Sequence, residues 1–77
     1  SIDAGAKLLR ALLRRYRGDF TLAAAAYNAG IGTVAKYRGV PPYAETLAYV
    51  EKVHALHVRY RSALRLKPLD PPLRAAQ

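Results

Sequence analysis

The chain has 77 residues, 13 of them Lys or Arg and 5 Asp or Glu, which gives a net charge of +8. This length predicts one small domain, and the absence of cysteine excludes disulfides and thiolate metal sites. The charge favours anionic partners: nucleic acid, acidic lipid or an anionic polysaccharide. No apolar run is long enough to predict a membrane span. The Ser-Ile-Asp start, with no methionine and no signal peptide, indicates a cut edge.

The first third of the chain predicts two helices joined by a turn. Asp3 is the expected N-cap of a first helix that runs to about Arg17. Gly18 ends that helix, and Asp19 is the expected N-cap of a second helix over about residues 20–29. The apolar stripe of the first helix consists of Leu8, Leu9, Leu12, Leu13 and Tyr16.

Four consecutive alanines lie in the second helix and precede Tyr27, Asn28 and Gly30. Alanine favours helix and lets neighbouring backbones pack closely. Gly30 suits the left-handed position after a helix, so Tyr27 and Asn28 belong to the last turn and can face a cleft. The alternative is a buried alanine helix with Tyr27 half-exposed and Asn28 capping its own backbone.

The remainder predicts a short helix, a rigid turn and a long helix. Thr33 is the expected cap of a short third helix over residues 34–38, and the prolines at 41 and 42 predict a turn. A fourth helix is expected over about residues 42–64, and three further prolines make 65–77 a flexible tail. The apolar seam of the fourth helix consists of Leu47, Val50, Val53, Leu56 or His57, Tyr60 and Leu64. We therefore expect an all-α fold, with one domain over residues 1–64.

Few residues have spacings that predict chemistry on their own. Glu51 and His54 match the Glu-x-x-His spacing of carboxylate-bridged metal sites, but those sites need the motif twice and further glutamates, so we expect no metal and no cofactor. Glu45 lies at the start of the fourth helix. An acid there either complements the helix dipole or takes part in catalysis.

Several stretches occur in a fixed order that is specific in combination. They are Tyr-Arg-Gly-Asp at 16–19, Leu-Ala-Ala-Ala-Ala-Tyr-Asn-Ala-Gly at 22–30, Val-Ala-Lys-Tyr at 34–37, Val-Pro-Pro-Tyr-Ala-Glu-Thr at 40–46 and Tyr-Val-Glu-Lys-Val at 49–53. The combination resembles the C-terminal half of the lytic transglycosylase domain of the soluble lytic transglycosylase (SLT) type, a lysozyme-like fold. The resemblance covers about residues 2–60.

The resemblance implies non-hydrolytic cleavage of peptidoglycan between N-acetylmuramic acid and N-acetylglucosamine, leaving a 1,6-anhydro sugar. In the family one glutamate, in a Glu-Ser motif before a Gly-Leu-Met-Gln motif, is acid and then base. Both motifs are missing here, since neither glutamate precedes serine and methionine is absent. By resemblance Tyr27 supports the missing glutamate, Asn28 and Gly30 line the saccharide groove, and Tyr43 and Glu45 form or hold its opposite wall.

Three explanations stay open for a sequence that carries the supporting half of a site without its acid. The chain is a piece of a longer enzyme, a degenerate product retained for wall binding, or a half that another chain completes. The expected partners are peptidoglycan strands or muropeptides, with a homodimer or a complementing half possible, and the family implies a periplasmic or cell-wall location. The alternative is a small basic helical module that binds nucleic acid or a protein. An alanine-rich second helix offers few side chains to read bases.

Overall fold

The computed structural model describes residues 2–64, and the tail predicted at 65–77 lies outside the described residues. The described chain forms four helices and no strand: α1 (Ile2–Arg15), α2 (Phe20–Ala29), α3 (Ile31–Tyr37) and α4 (Ala44–Ala63). The prediction of an all-α fold is confirmed. The other three helices pack on α2, which lies at the centre.

Helix α2 begins and packs as its sequence predicts. Asp19 is its N-cap, and the Asp19 carboxylate accepts a hydrogen bond of 3.0 Å from the backbone N–H of Leu22. The four alanines at 23–26 are all buried, with Ala23 and Ala25 at 0 % exposure. Consecutive helical positions point in different directions, so α2 is covered on most of its circumference, as expected for a helix that is apolar all round.

Helix α1 differs from the prediction at both ends. It begins at Ile2, so Asp3 lies inside its first turn rather than at the N-cap, and the Asp3 carboxylate pairs with Lys7 Nζ at 3.5 Å. An acid in the first turn complements the helix dipole without capping. The helix ends at Arg15, because Arg17 and Gly18 take positive φ angles of 55° and 84° and reverse the chain.

Helix α3 begins earlier than predicted. It starts at Ile31, so Thr33 lies within the helix and the prediction that Thr33 caps it is wrong. Gly30, with φ 99°, follows α2 and also takes the N-cap position of α3. A glycine that tolerates positive φ allows the two helices to follow each other with one residue between them. Arg38 ends α3 in the left-handed conformation.

Helix α4 begins two residues after the expected start, because Pro42 stays in the connecting turn and Tyr43 is the N-cap. The sequence analysis gave Leu56 and His57 as alternatives for one position of the apolar seam. His57 packs on the Phe20 ring with ring centroids 4.0 Å apart, whereas Leu56 is 54 % exposed. Tyr60 and Leu64 are also exposed, so the predicted seam is buried only in the part that faces α2.

One core joins the four helices. Its buried apolar residues are Leu12, Ala23, Ala24, Ala25, Ala26, Val34, Val40 and Val50. Of the predicted stripe on α1, Leu12 is buried and Leu8 is 49 % exposed. Pro41 is fully buried beside Val40, so the turn before α4 belongs to the core and fixes the point at which α4 begins.

Candidate functional site

The end of α2 and the first turn of α4 are joined by a partly buried hydrogen bond. The Thr46 hydroxyl donates to Asn28 Oδ1 at 2.8 Å, and Thr46 is only 2 % exposed. The Asn28 side-chain oxygen therefore accepts a hydrogen bond from α4, while the buried alanines and the half-exposed Tyr27 agree with the alternative stated above. Because the bond spans 18 positions of sequence, it fixes how two distant motifs meet.

Tyr27 lies beside this bond and stacks on a second tyrosine. Its ring is nearly parallel to that of Tyr49, with an interplanar angle of 6° and a centroid separation of 6.4 Å. Tyr27 keeps 42 % of its surface exposed, so a ring face or edge stays open to a ligand. Gly5 of α1 approaches the phenol so closely that a Cβ built at Gly5 would lie 3.1 Å from the Tyr27 hydroxyl. A glycine in α1 thus leaves room for this phenol.

Tyr43 belongs to a separate aromatic pair. Its ring meets that of Tyr37 edge to face, with centroids 5.6 Å apart, and it stays 42 % exposed. A side-chain hydrogen bond with Tyr37 raises the pKa of the Tyr43 phenol above its ordinary value of 10.0, with smaller contributions from desolvation and the charge of Tyr37. An ordinary phenol is already protonated near neutral pH, so this shift does not change the charge of Tyr43 there. Lys36 Nζ lies 5.7 Å from the centroid of the Tyr37 ring, which adds a positive charge beside the pair.

The structure brings some of the predicted site residues together and leaves others apart. Asn28 and Tyr27 each contact α4, through Thr46 and Tyr49. Tyr43 is the N-cap of α4 and lies three positions before Thr46, so these two residues are neighbours at the start of the helix. We call Tyr27, Asn28, Tyr43, Thr46 and Tyr49 the tyrosine surface.

Gly30 and Glu45 have other surroundings. Gly30 is exposed and supplies the positive φ between α2 and α3, which is a backbone role. Glu45 is exposed in the first turn of α4, where its charge complements the helix dipole. No hydrogen bond or ion pair within residues 2–64 joins the Glu45 side chain to the tyrosine surface.

Sequence reasoning missed three residues of the site: Gly5, Tyr49 and the bonding role of Thr46. The signal for Thr46 and Tyr49 was available, because Thr46 is three positions from Tyr43 and Tyr49 is three from Thr46, and residues three apart are neighbours on a helix. The signal for Gly5 was weaker, since a glycine inside a helix costs about 1 kcal/mol relative to alanine and so indicates a special contact.

The two histidines lie at the other end of the α2–α4 contact. Burial against Phe20 lowers the pKa of His57, and the charges of Arg61 and His54 lower it further. Among the described residues, no group of three His, Asp or Glu side chains is placed to hold a metal ion.

Comparison with known proteins gives one family. Residues 1–49 match the family model described as the transglycosylase SLT domain, which is well over half of the chain. No solved structure matches the chain. Within residues 2–64, none of the helices combines the length and the apolar character needed to cross a bilayer.

Proposed function

Because the chain belongs to the transglycosylase SLT domain family, we propose that it binds the glycan strands of peptidoglycan through the tyrosine surface. In this proposal it forms the supporting side of a lytic transglycosylase groove at a periplasmic or cell-wall location. Tyr27, Asn28 and Tyr43 contact the sugars, Gly30 shapes the backbone beside them, and Tyr43 together with Glu45 forms or holds the opposite wall. A glutamate outside these 77 residues supplies the acid and base that form the anhydro product.

The observation that carries the proposal is the hydrogen bond between Thr46 and Asn28. It joins the Ala-Tyr-Asn-Ala-Gly stretch to the Pro-Pro-Tyr-Ala-Glu-Thr stretch, so that both contribute to one surface. Sugars bind to amide and hydroxyl groups and to aromatic faces, and this surface offers an amide and exposed phenols. Lys36 beside Tyr37 adds attraction for the carboxylates of muropeptides.

Glu45 is a poor candidate for the missing acid. A general acid in such chemistry needs a raised pKa, which burial or a neighbouring negative charge provides. Glu45 is exposed in the first turn of α4 and is not joined to the tyrosine surface, so its surroundings offer neither burial nor a neighbouring negative charge. This is the reason for proposing a glutamate from elsewhere, supplied by a longer protein or by a complementing chain.

The alternative of a nucleic-acid-binding module receives no specific support. Helix α2 is surrounded by the other three helices, so it cannot enter a DNA groove as a recognition helix. A partner protein or a second copy remains a proposal, and the exposed Leu8 and Leu56 are the apolar side chains that such a partner would cover.

The test is a titration of the 77-residue chain with N-acetylglucosamine tetramer, followed by amide chemical shifts. We expect a dissociation constant of about 1 mM, equivalent to about −4 kcal/mol, because half a groove leaves much of the sugar in solvent. Shifts should centre on Tyr27, Asn28 and Tyr43, and Tyr27→Ala should reduce the affinity.

The matched control is Tyr60→Ala, which removes an exposed tyrosine from the far part of α4 and should leave binding unchanged. For muropeptides, added salt should weaken binding because it screens the charge attraction. Shifts confined to the arginine-rich end of α1, or no shifts at saturating sugar, would contradict the proposal.

A further inference from the structure

A groove separates the C-terminal end of α1 from α3. Both helices pack on α2 and not on each other, so a gap remains between them. The gap has a volume of about 240 Å³, and side chains of all three helices line it. The lining includes Arg15, Tyr16, Leu22, Ile31, Val34 and Arg38. None of the residues of the tyrosine surface contributes to it.

The groove combines an apolar interior with two positive charges. Leu22, Ile31 and Val34 provide apolar surface, and Val34 is buried, so it belongs to the floor. Arg15 and Arg38 are exposed and line the same groove, and no Asp or Glu does. Within residues 2–64 neither arginine has a carboxylate partner. Their charges are therefore available to an anionic ligand.

The two guanidinium groups are not needed to cap the helices that carry them. At the end of α1 the Gly18 N–H donates to the Leu13 carbonyl at 2.7 Å, and at the end of α3 the Gly39 N–H donates to the Val34 carbonyl at 3.1 Å. The turns thus satisfy these helix ends with backbone groups. Arg38 also takes a left-handed conformation, φ 56° and ψ 35°, which glycine and asparagine adopt more easily. Backbone stability alone would favour one of those residues at this position.

We propose that the groove binds a short apolar peptide by its C-terminal carboxylate. Arg15 and Arg38 bind the carboxylate, because guanidinium groups match its geometry and form charge-assisted hydrogen bonds. The Tyr16 phenol supplies a further donor, and Leu22 and Ile31 contact the small apolar side chains. The volume lies just below the ~300–1,000 Å³ of sites for drug-sized ligands, so it suits one or two residues of peptide. An inorganic anion would use the charges and leave the apolar surface empty.

The test compares three probes on the full chain by amide shift titration: N-acetyl-dialanine, its C-terminal amide and inorganic phosphate. We expect the acid to shift Ile31, Val34 and Gly39 amides, and the amide probe to bind about tenfold more weakly because it lacks the charge. Equal binding of acid and amide would overturn the carboxylate assignment. Phosphate producing the same shifts at the same concentration would overturn the peptide assignment.

Two variants test the arginines. Arg38→Gly removes a guanidinium while relaxing the left-handed backbone, so it should fold at least as well as the parent. We expect Arg38→Gly and Arg15→Gln each to weaken binding of N-acetyl-dialanine about fivefold or more. The matched control, Arg10→Gln, lowers the net charge by the same amount on an exposed position of α1 outside the groove and should change affinity less than about twofold. Arginine variants that bind like the control would refute the proposal, and retained binding of N-acetylglucosamine tetramer would show that the two surfaces act separately.

Discussion

Replacing Ala25 with leucine should destabilise the protein strongly. Ala25 is 0 % exposed in the helix on which the other three helices pack, so three added carbon atoms have no free volume to enter. Overpacking a close-packed core typically costs about 1–3 kcal/mol. At about 4–8 °C per kcal/mol for a domain of this size, the thermal midpoint should fall by roughly 4–24 °C. Leucine is itself a good helix former, so the effect reports packing rather than helix propensity.

The assay is urea unfolding followed by circular dichroism, with Ala55→Leu as the matched control. Ala55 is exposed on α4, so the same change there should alter the free energy of unfolding by less than about 0.5 kcal/mol. We expect Ala25→Leu to lower the urea midpoint with an unchanged slope, which indicates a loss of stability in the same folded state. Equal midpoints for the two variants would refute the conclusion that α2 is a close-packed centre.

Three other predictions follow from the described contacts. Thr46→Val should lower the free energy of unfolding by about 1 kcal/mol, because Asn28 Oδ1 loses its donor, and urea unfolding measures this. Between about pH 7.5 and about pH 5.5 the thermal midpoint should fall more steeply in the parent than in His57→Gln. The reason is that the pKa of His57 is lowered in the folded state. Its contribution to stability is therefore present above the unfolded pKa near 6.5 and is lost on acidification. His54→Gln should give a profile between the two, because it removes one charge that lowers the pKa of His57 and leaves the larger effect of burial. The chain alone should release no anhydro-muropeptides from purified peptidoglycan, as measured by mass spectrometry of the digest. If products did appear and Glu45→Gln abolished them, Glu45 would be the catalytic acid.

The sequence predicted the helices best where local signals were strong. The two ends of α2 were predicted correctly, because Asp19 caps its start and Gly30 follows its last residue, and each signal acts within one helical turn. The N-cap predictions at Asp3 and Thr33 were wrong. Both residue types are good caps, yet α1 and α3 begin before them. At the start of α3 the positive φ of Gly30 outweighed the capping preference of the Thr33 side chain.

The sequence indicated part of the candidate site and none of the contacts within it. Tyr27 and Tyr43 were identified, but their ring partners were not: Tyr27 stacks on Tyr49, and Tyr43 contacts Tyr37. Pairing depends on how α4 is oriented on α2, which the Thr46–Asn28 bond helps to fix. Periodicity gives the face of a helix and leaves open which neighbour that face contacts.

The central position of α2 has a consequence for how the domain folds. Since α1, α3 and α4 make their helix–helix contacts with α2, none of them can bury its apolar face before α2 is in place. Most partial structures therefore lack a partner surface, and the chain should fold and unfold in one cooperative step. The alanines that make this arrangement possible contribute little apolar area each. In native-state hydrogen exchange the amides of Ala24–Ala26 should accordingly exchange most slowly, and those at the exposed end of α4 should exchange first.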